Sequence, residues 1–129
     1  MIVIDASLLV KVILKEEGWE NVPIDTSTAT LDYAFVEGMN AIWVAVRRKR
    51  IDESEARSRV LVLKLLGESM TLFSAGNFFE RGLEIALKEN ITIYDALYIA
   101  LAEALNVELY TADNKQYMAA KKYVRAKLI

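Results

Sequence analysis

Four acidic residues stand where acids are unusual. Asp5 directly follows the apolar run Ile2-Val3-Ile4 and precedes a helical pattern. Glu37 is the only charge between Asp32 and Arg47, a stretch holding Phe35, Val36, Met39, Ile42, Trp43 and Val44. Asp95 opens a second apolar stretch, Tyr94 to Ala102, and Asp113 follows the strand-like run Val107 to Thr111. The chain contains neither histidine nor cysteine. That excludes a Ser-His-Asp triad, a histidine-pair mechanism, thiolate nucleophiles, disulfides and the usual zinc ligands. Carboxylates that approach one another without nitrogen or sulfur ligands require a hard cation to offset their repulsion, and oxygen donors favour Mg²⁺ or Mn²⁺.

Each acid also has a blander account. Asp5 and Asp113 sit where an aspartate caps a helix. Asp95 lies in a first turn, where the helix dipole favours an acid and Thr92 is placed to cap. Glu37 would occupy a narrow exposed stripe or meet a buried cation. For Glu37 the expectation is different, because a helix apolar on most sides is buried and an ionised carboxylate there is costly alone. Asn40 lies one turn further on the same face.

The elements that must position these residues follow from periodicity. Short apolar runs alternate with longer helical periods, the pattern of an α/β fold with a parallel sheet. Strands are expected at Ile2 to Ile4, Thr71 to Phe73, Val107 to Thr111 and Val124 to Leu128. Trp19 to Thr30 reads as irregular or as holding a short strand. Helices are expected over Ala6 to Glu17 and, with Thr30 as cap, Leu31 to Arg48. Others span Asp52 to Leu66 with Gly67 as stop, Asn77 to Glu89 with an Asn77/Glu80 capping pair, Ile93 to Leu105, and Asn114 to Lys122.

With 129 residues and 54% hydrophobic composition the chain is one domain, 1–129, able to bury a core. No apolar run reaches the roughly 20 residues of a membrane span. A strand directly at the N-terminus leaves no room for a signal peptide, so a cytoplasmic, membrane-independent protein is expected. The net charge of -2 neither requires nor excludes a nucleic-acid partner. Arg47 to Arg50 is the densest basic run; it suits phosphates, and equally a solvated helix end.

The pieces Ile-Val-Ile-Asp5-Ala-Ser7, Glu37-Gly-Met-Asn40, Tyr94-Asp95-Ala-Leu-Tyr-Ile-Ala100 and Leu-Tyr-Thr111-Ala-Asp113 resemble, in order and over almost the whole chain, the successive motifs of PIN domains. The toxin-type branch usually called VapC is the nearest likeness. The resemblance implies a three-layer α/β/α fold with a central parallel sheet, and endoribonuclease activity dependent on Mg²⁺ or Mn²⁺. It aligns Asp5, Glu37, Asp95 and Asp113 with an acidic quartet that is both catalytic and metal-binding. Ser7, Asn40 and Thr111 align with polar residues that hold the carboxylates. Some members carry a further acid after the last motif, where this chain has Asn114, Lys115 and Gln116; that puts a second metal ion in question.

The implied products are a 5′-phosphate and a 3′-hydroxyl. The implied partners are an RNA substrate and a small antitoxin protein; a homodimer is also expected, the apolar helix residues around Trp43 and Leu61 to Leu66 serving either a core or its interface. A free-standing RNA-processing nuclease and a catalytically silent PIN-like binding module are the alternatives. Ser7, two residues after Asp5, argues against an aspartyl-nucleophile phosphatase, and Ser74 after the middle strand argues against a phosphoacceptor domain.

Overall fold

A computed structural model describes all 129 residues. Five strands form one sheet: β1 Ile2–Ile4, β2 Thr28–Leu31, β3 Thr71–Phe73, β4 Glu108–Thr111 and β5 Ala126–Leu128. Their order is β3-β2-β1-β4-β5, and every pairing is parallel. Six helices connect them: α1 Ala6–Ile13, α2 Tyr33–Arg47, α3 Glu53–Ser69, α4 Phe79–Glu89, α5 Ile93–Leu105 and α6 Asn114–Ala120. The chain moves outward from β1 to β3 and then crosses back to β4. Right-handed crossovers in the two directions place helices on both faces, giving the expected three-layer α/β/α architecture.

The core is the sheet's own residues and the helix faces against it. Val3, Ile4, Ala29 and Leu109 are fully buried, as are Leu8, Leu9 and Ile13 of α1 and Ile99 and Leu101 of α5. Gly38 sits where a Cβ would come within 3.2 Å of Ile13 and 3.3 Å of Leu63, so its missing side chain lets α1, α2 and α3 approach beside Glu37.

Several boundaries differ from the sequence expectation. Helix α1 stops at Ile13, not Glu17, because Lys15 takes a left-handed conformation (φ 51°) and turns the chain early. Thr30 is not a cap: it lies within β2, and its hydroxyl donates to the Ile4 carbonyl across the sheet at 2.7 Å. The β-branched alternation Thr28-Ala-Thr-Leu31 suits a strand, which delays α2 to Tyr33. Gly67 does not end α3, which continues to Ser69; a Cβ there would stand 3.3 Å from the Phe35 ring, so this glycine serves helix packing. The Asn77/Glu80 pair makes no capping bond, because Ala75–Phe78 forms a 3₁₀ turn before α4 begins. The last strand is shorter than expected, starting at Ala126.

The largest correction concerns α2. It buries only Ala34, Gly38, Ile42 and Ala45, while Val36 and Trp43 are 58% and 59% exposed. A mostly apolar helix here has one buried face and one open apolar face.

Candidate active site

In an open parallel sheet, ligands bind beyond the carboxyl ends of the strands, where the chain order reverses. Here that point lies between β1 and β4, whose ends are paired through Ile4 and Tyr110. Asp5 leaves β1, and Thr111 ends β4 with Asp113 two residues beyond, so both fall at this edge.

Asp5 is 3% exposed, and both carboxylate oxygens are bonded. The Ser7 hydroxyl donates to one at 2.5 Å, the Thr111 hydroxyl to the other at 2.5 Å, and the Leu8 N–H reaches the first at 3.4 Å. Each hydroxyl oxygen itself accepts a backbone N–H: Ala112 on Ser7 at 2.9 Å and Asp113 on Thr111 at 3.0 Å. That occupancy directs both hydroxyl protons toward Asp5. The capping account of Asp5 is therefore true but covers only one of its three donors. Those donors favour the ionised carboxylate, yet burial outweighs them and pushes the Asp5 pKa up to about 6, with the charge of Asp95 adding to the rise.

Helix α5 brings in Asp95. Thr92 caps this helix by accepting the Asp95 N–H at 3.3 Å. The Asp95 carboxylate is thus not the cap, and its side-chain neighbour in this turn is the Thr92 hydroxyl. Its pKa is raised, first by burial and then by the charge of Asp113, against smaller opposing effects of Thr92 and Lys115. Asp113 does cap α6, accepting the N–H groups of Lys115 at 2.8 Å and Gln116 at 3.5 Å.

Glu37, half-buried on α2, accepts the Tyr98 hydroxyl at 2.7 Å. Burial raises its pKa, and the charge of Asp95 adds to that, while Tyr98 opposes it. No lysine or arginine pairs with any of the four acids: the three ion pairs of the protein involve Arg81 and Lys122. The acids are near enough for Asp95 to be felt by Asp5 and Glu37 and to feel Asp113. Even so, no group of three or more converges tightly enough to enclose one ion. The donor chemistry, all oxygen and without a counter-charge, suits a hard cation that keeps part of its water shell.

A cavity of about 680 Å³ opens beside these residues, lined by Ser7, Glu37 and Asp113 together with Asn40, Tyr33, Tyr94 and Glu16. Asn40 is exposed there and hydrogen-bonds to none of the four acids. Tyr33 and Tyr94 stack at its edge, with ring centroids 5.4 Å apart.

Two participants escaped the sequence reading. Tyr98 reads as a core aromatic at helical spacing, and it is buried; the clue is that a buried tyrosine hydroxyl needs a partner, and Tyr98 lies one turn after Asp95. Gln116 is fully buried and donates to the Asp95 carbonyl at 2.8 Å, tying α6 to the start of α5. Its position three residues after Asp113 looks like a capping box, which conceals this use.

The fold is an open parallel α/β/α domain with acids gathered at its carboxyl edge, and comparison with known proteins gives it a family. A model of the PIN domain matches residues 2–122, and the chain belongs to that family. Ribonuclease VapC3 of Pyrobaculum aerophilum is 32% identical over 118 residues, covering 88% of this chain and 90% of that protein. Ribonuclease VapC9 of Mycobacterium tuberculosis is 39% identical over 67 residues, about half of each chain (52% and 50%). Among solved structures, PAE2754 from Pyrobaculum aerophilum superposes with a TM-score of 0.74 at 26% identity, covering 96% of this chain and 82% of that one. FitAcB from Neisseria gonorrhoeae shares the fold, with a TM-score of 0.63 at 13% identity over 98% and 96% of the two chains.

Proposed function

We propose that this protein is an endoribonuclease of the toxin type that hydrolyses RNA phosphodiester bonds with Mg²⁺ or Mn²⁺. The observation that carries this reading is the hydroxyl-held Asp5 at the reversal point of the sheet, with Asp95 and Asp113 beside it and no ion pair to any of them. The relationship to Ribonuclease VapC3 over nearly the full length of both chains supports it.

Asp5, Asp95 and Asp113 are the residues that would hold the cation, and Glu37 either joins them or orients the attacking water. A bound divalent cation supplies a water of lowered pKa and neutralises charge on the phosphate. The chain's own contribution is placement. Ser7 and Thr111 fix the plane of Asp5, Tyr98 fixes one oxygen of Glu37, and Gln116 holds the backbone under Asp95. Asn40, free in the cavity wall, is a donor to the substrate rather than to a carboxylate.

The second part of the proposal is restraint by a small antitoxin protein. An acidic cleft without its own cation accepts an arginine from a partner through bidentate charge-assisted bonds. Pairing of two copies is also proposed, through the exposed row Phe79, Leu83 and Leu87 on α4.

End-group analysis of cleaved RNA tests the chemistry. Hydrolysis by an activated water leaves a 5′-phosphate and a 3′-hydroxyl. Products ending in a 2′,3′-cyclic phosphate would mean attack by the ribose hydroxyl and would contradict the reading. Growth arrest on expression of the chain, relieved by Asp5→Asn, tests the toxin assignment; a harmless but active enzyme would favour a free-standing RNA-processing role.

A further inference from the structure

A site built from acids repels a polyanion. The strand that enters it must be gripped elsewhere, on a surface continuous with the cavity. Helix α2 supplies such a surface. Tyr33, Asn40 and Arg47 recur at seven-residue spacing, which places them on one slowly drifting stripe about 21 Å long. Trp43 lies one turn from Asn40 and one from Arg47 on the flank of that stripe.

The structure shows where the stripe begins and ends. Tyr33 and Asn40 line the candidate active cavity. Trp43 is open to solvent, and the Arg47 guanidinium lies over its ring at 5.6 Å from the centroid. Beyond it come Arg48, Lys49 and Arg50, all exposed. None of these four cations takes part in an ion pair. A helix C-terminus alone would account for basic residues, but not for an exposed indole stacked with one of them on the stripe that leads from the cavity.

We propose that this stripe of α2 is a track for single-stranded RNA, on which a base stacks against Trp43 and phosphates meet Arg47 and the cations beyond it. It rests on the ribonuclease reading and specifies how that site takes its substrate. Exposed aromatics interleaved with cations bind single strands with little sequence preference, whereas a duplex hides its base faces. The charge of the far end favours RNA over an apolar protein partner.

The test is binding of a labelled, mixed-sequence single-stranded RNA to the full chain, followed by fluorescence anisotropy in chelator so that no turnover occurs. Trp43→Ala is expected to weaken binding about tenfold, and Trp43→Phe to restore most of it. Arg47→Ala should make the salt dependence shallower by about 0.7 in the slope of log affinity against log salt. Both side chains are exposed, so the variants fold, and Arg47→Ala gives its answer through the salt slope even where affinity changes little. With cation restored, the same variants should raise KM for this RNA while leaving kcat near wild type. Unchanged affinity and slope in both variants would overturn the proposal. So would a Trp43→Ala variant that binds RNA normally but loses self-association in sedimentation, which would make the stripe a protein interface. Wild-type chain that binds RNA through Trp43 and Arg47 but cleaves none with cation would sink the ribonuclease reading and leave the track standing.

Discussion

Among single residues, Asp5 is the most strongly buried of the four acids. Its pKa rises from 3.8 to about 6 because burial outweighs three hydrogen-bond donors. Below about pH 6 the neutral form is thus favoured in the folded, metal-free protein, and the stability this contributes is present below the unfolded value and lost as pH climbs from about 4 to about 6. A shift of this size corresponds to roughly 3 kcal/mol. Carboxyl NMR of the metal-free protein should show Asp5 titrating near pH 6, and divalent-cation affinity should fall steeply below that pH as proton and cation compete. A midpoint at an ordinary aspartate value would show that the hydroxyl pair, not burial, sets its charge. Tyr98 acts on Glu37 as the hydroxyl pair acts on Asp5, lowering a pKa that burial raises. Tyr98→Phe removes the bond that lowers the Glu37 pKa, so the acidic limb of the pH–rate profile should move to higher pH and activity should fall on the order of tenfold or more. The stability cost should be only about 1 kcal/mol. An unshifted profile would reduce Tyr98 to a packing residue.

At the scale of elements, the acids differ in what they do for their helices. Asp113 is the side-chain cap of α6, whereas α5 is capped by Thr92 and not by the Asp95 carboxylate. Asp113→Ala should therefore cost about 1 kcal/mol as well as activity. Asp95→Asn should abolish cleavage yet leave the metal-free protein as stable or more so, because it removes a charge that burdens Asp5 and Glu37. Thermal melts of the two variants check the contrast, and equal losses would erase it. The same elements show what was legible in the sequence. Ile2-Val3-Ile4 before Asp5 and Val107 to Thr111 before Asp113, one residue longer than the strand itself, are readable because a buried parallel strand is a short apolar or β-branched run ended by a polar turn. Thr30 misled because its threonine-rich strand borders a helix and looks like a cap, and Gly67 because a glycine required for Phe35 packing resembles a stop. The apolar residues around Trp43 fit a core or an interface equally in the sequence, since apolar content along a helix does not reveal which partners are present.

At the scale of the whole molecule, the parallel sheet brings residues far apart in sequence to one edge. The Asp5–Thr111 bond spans 106 positions, and the Glu37–Tyr98 bond spans 61. The candidate acids could be named from local motifs, but their distinct environments could not, because burial and hydrogen bonding depend on that long-range assembly. Surface residues carry a prediction at this scale. Phe79, Leu83 and Leu87 form an exposed row at one-turn spacing on α4, with Leu87 74% exposed. If two copies pair there, Leu83→Lys with Leu87→Lys should yield a monomer in sedimentation without loss of melting temperature. A wild-type chain already monomeric at high concentration would remove the dimer. The central claim, that the acids work through a divalent cation, is tested most directly by cleavage of a mixed RNA in excess chelator, followed by readdition of Mg²⁺ or Mn²⁺ to wild type and to Asp95→Asn. Cleavage should stop with chelator, return with cation in the wild type, and not return in Asp95→Asn; cleavage that continues undiminished in chelator would show that the acids work without a cation.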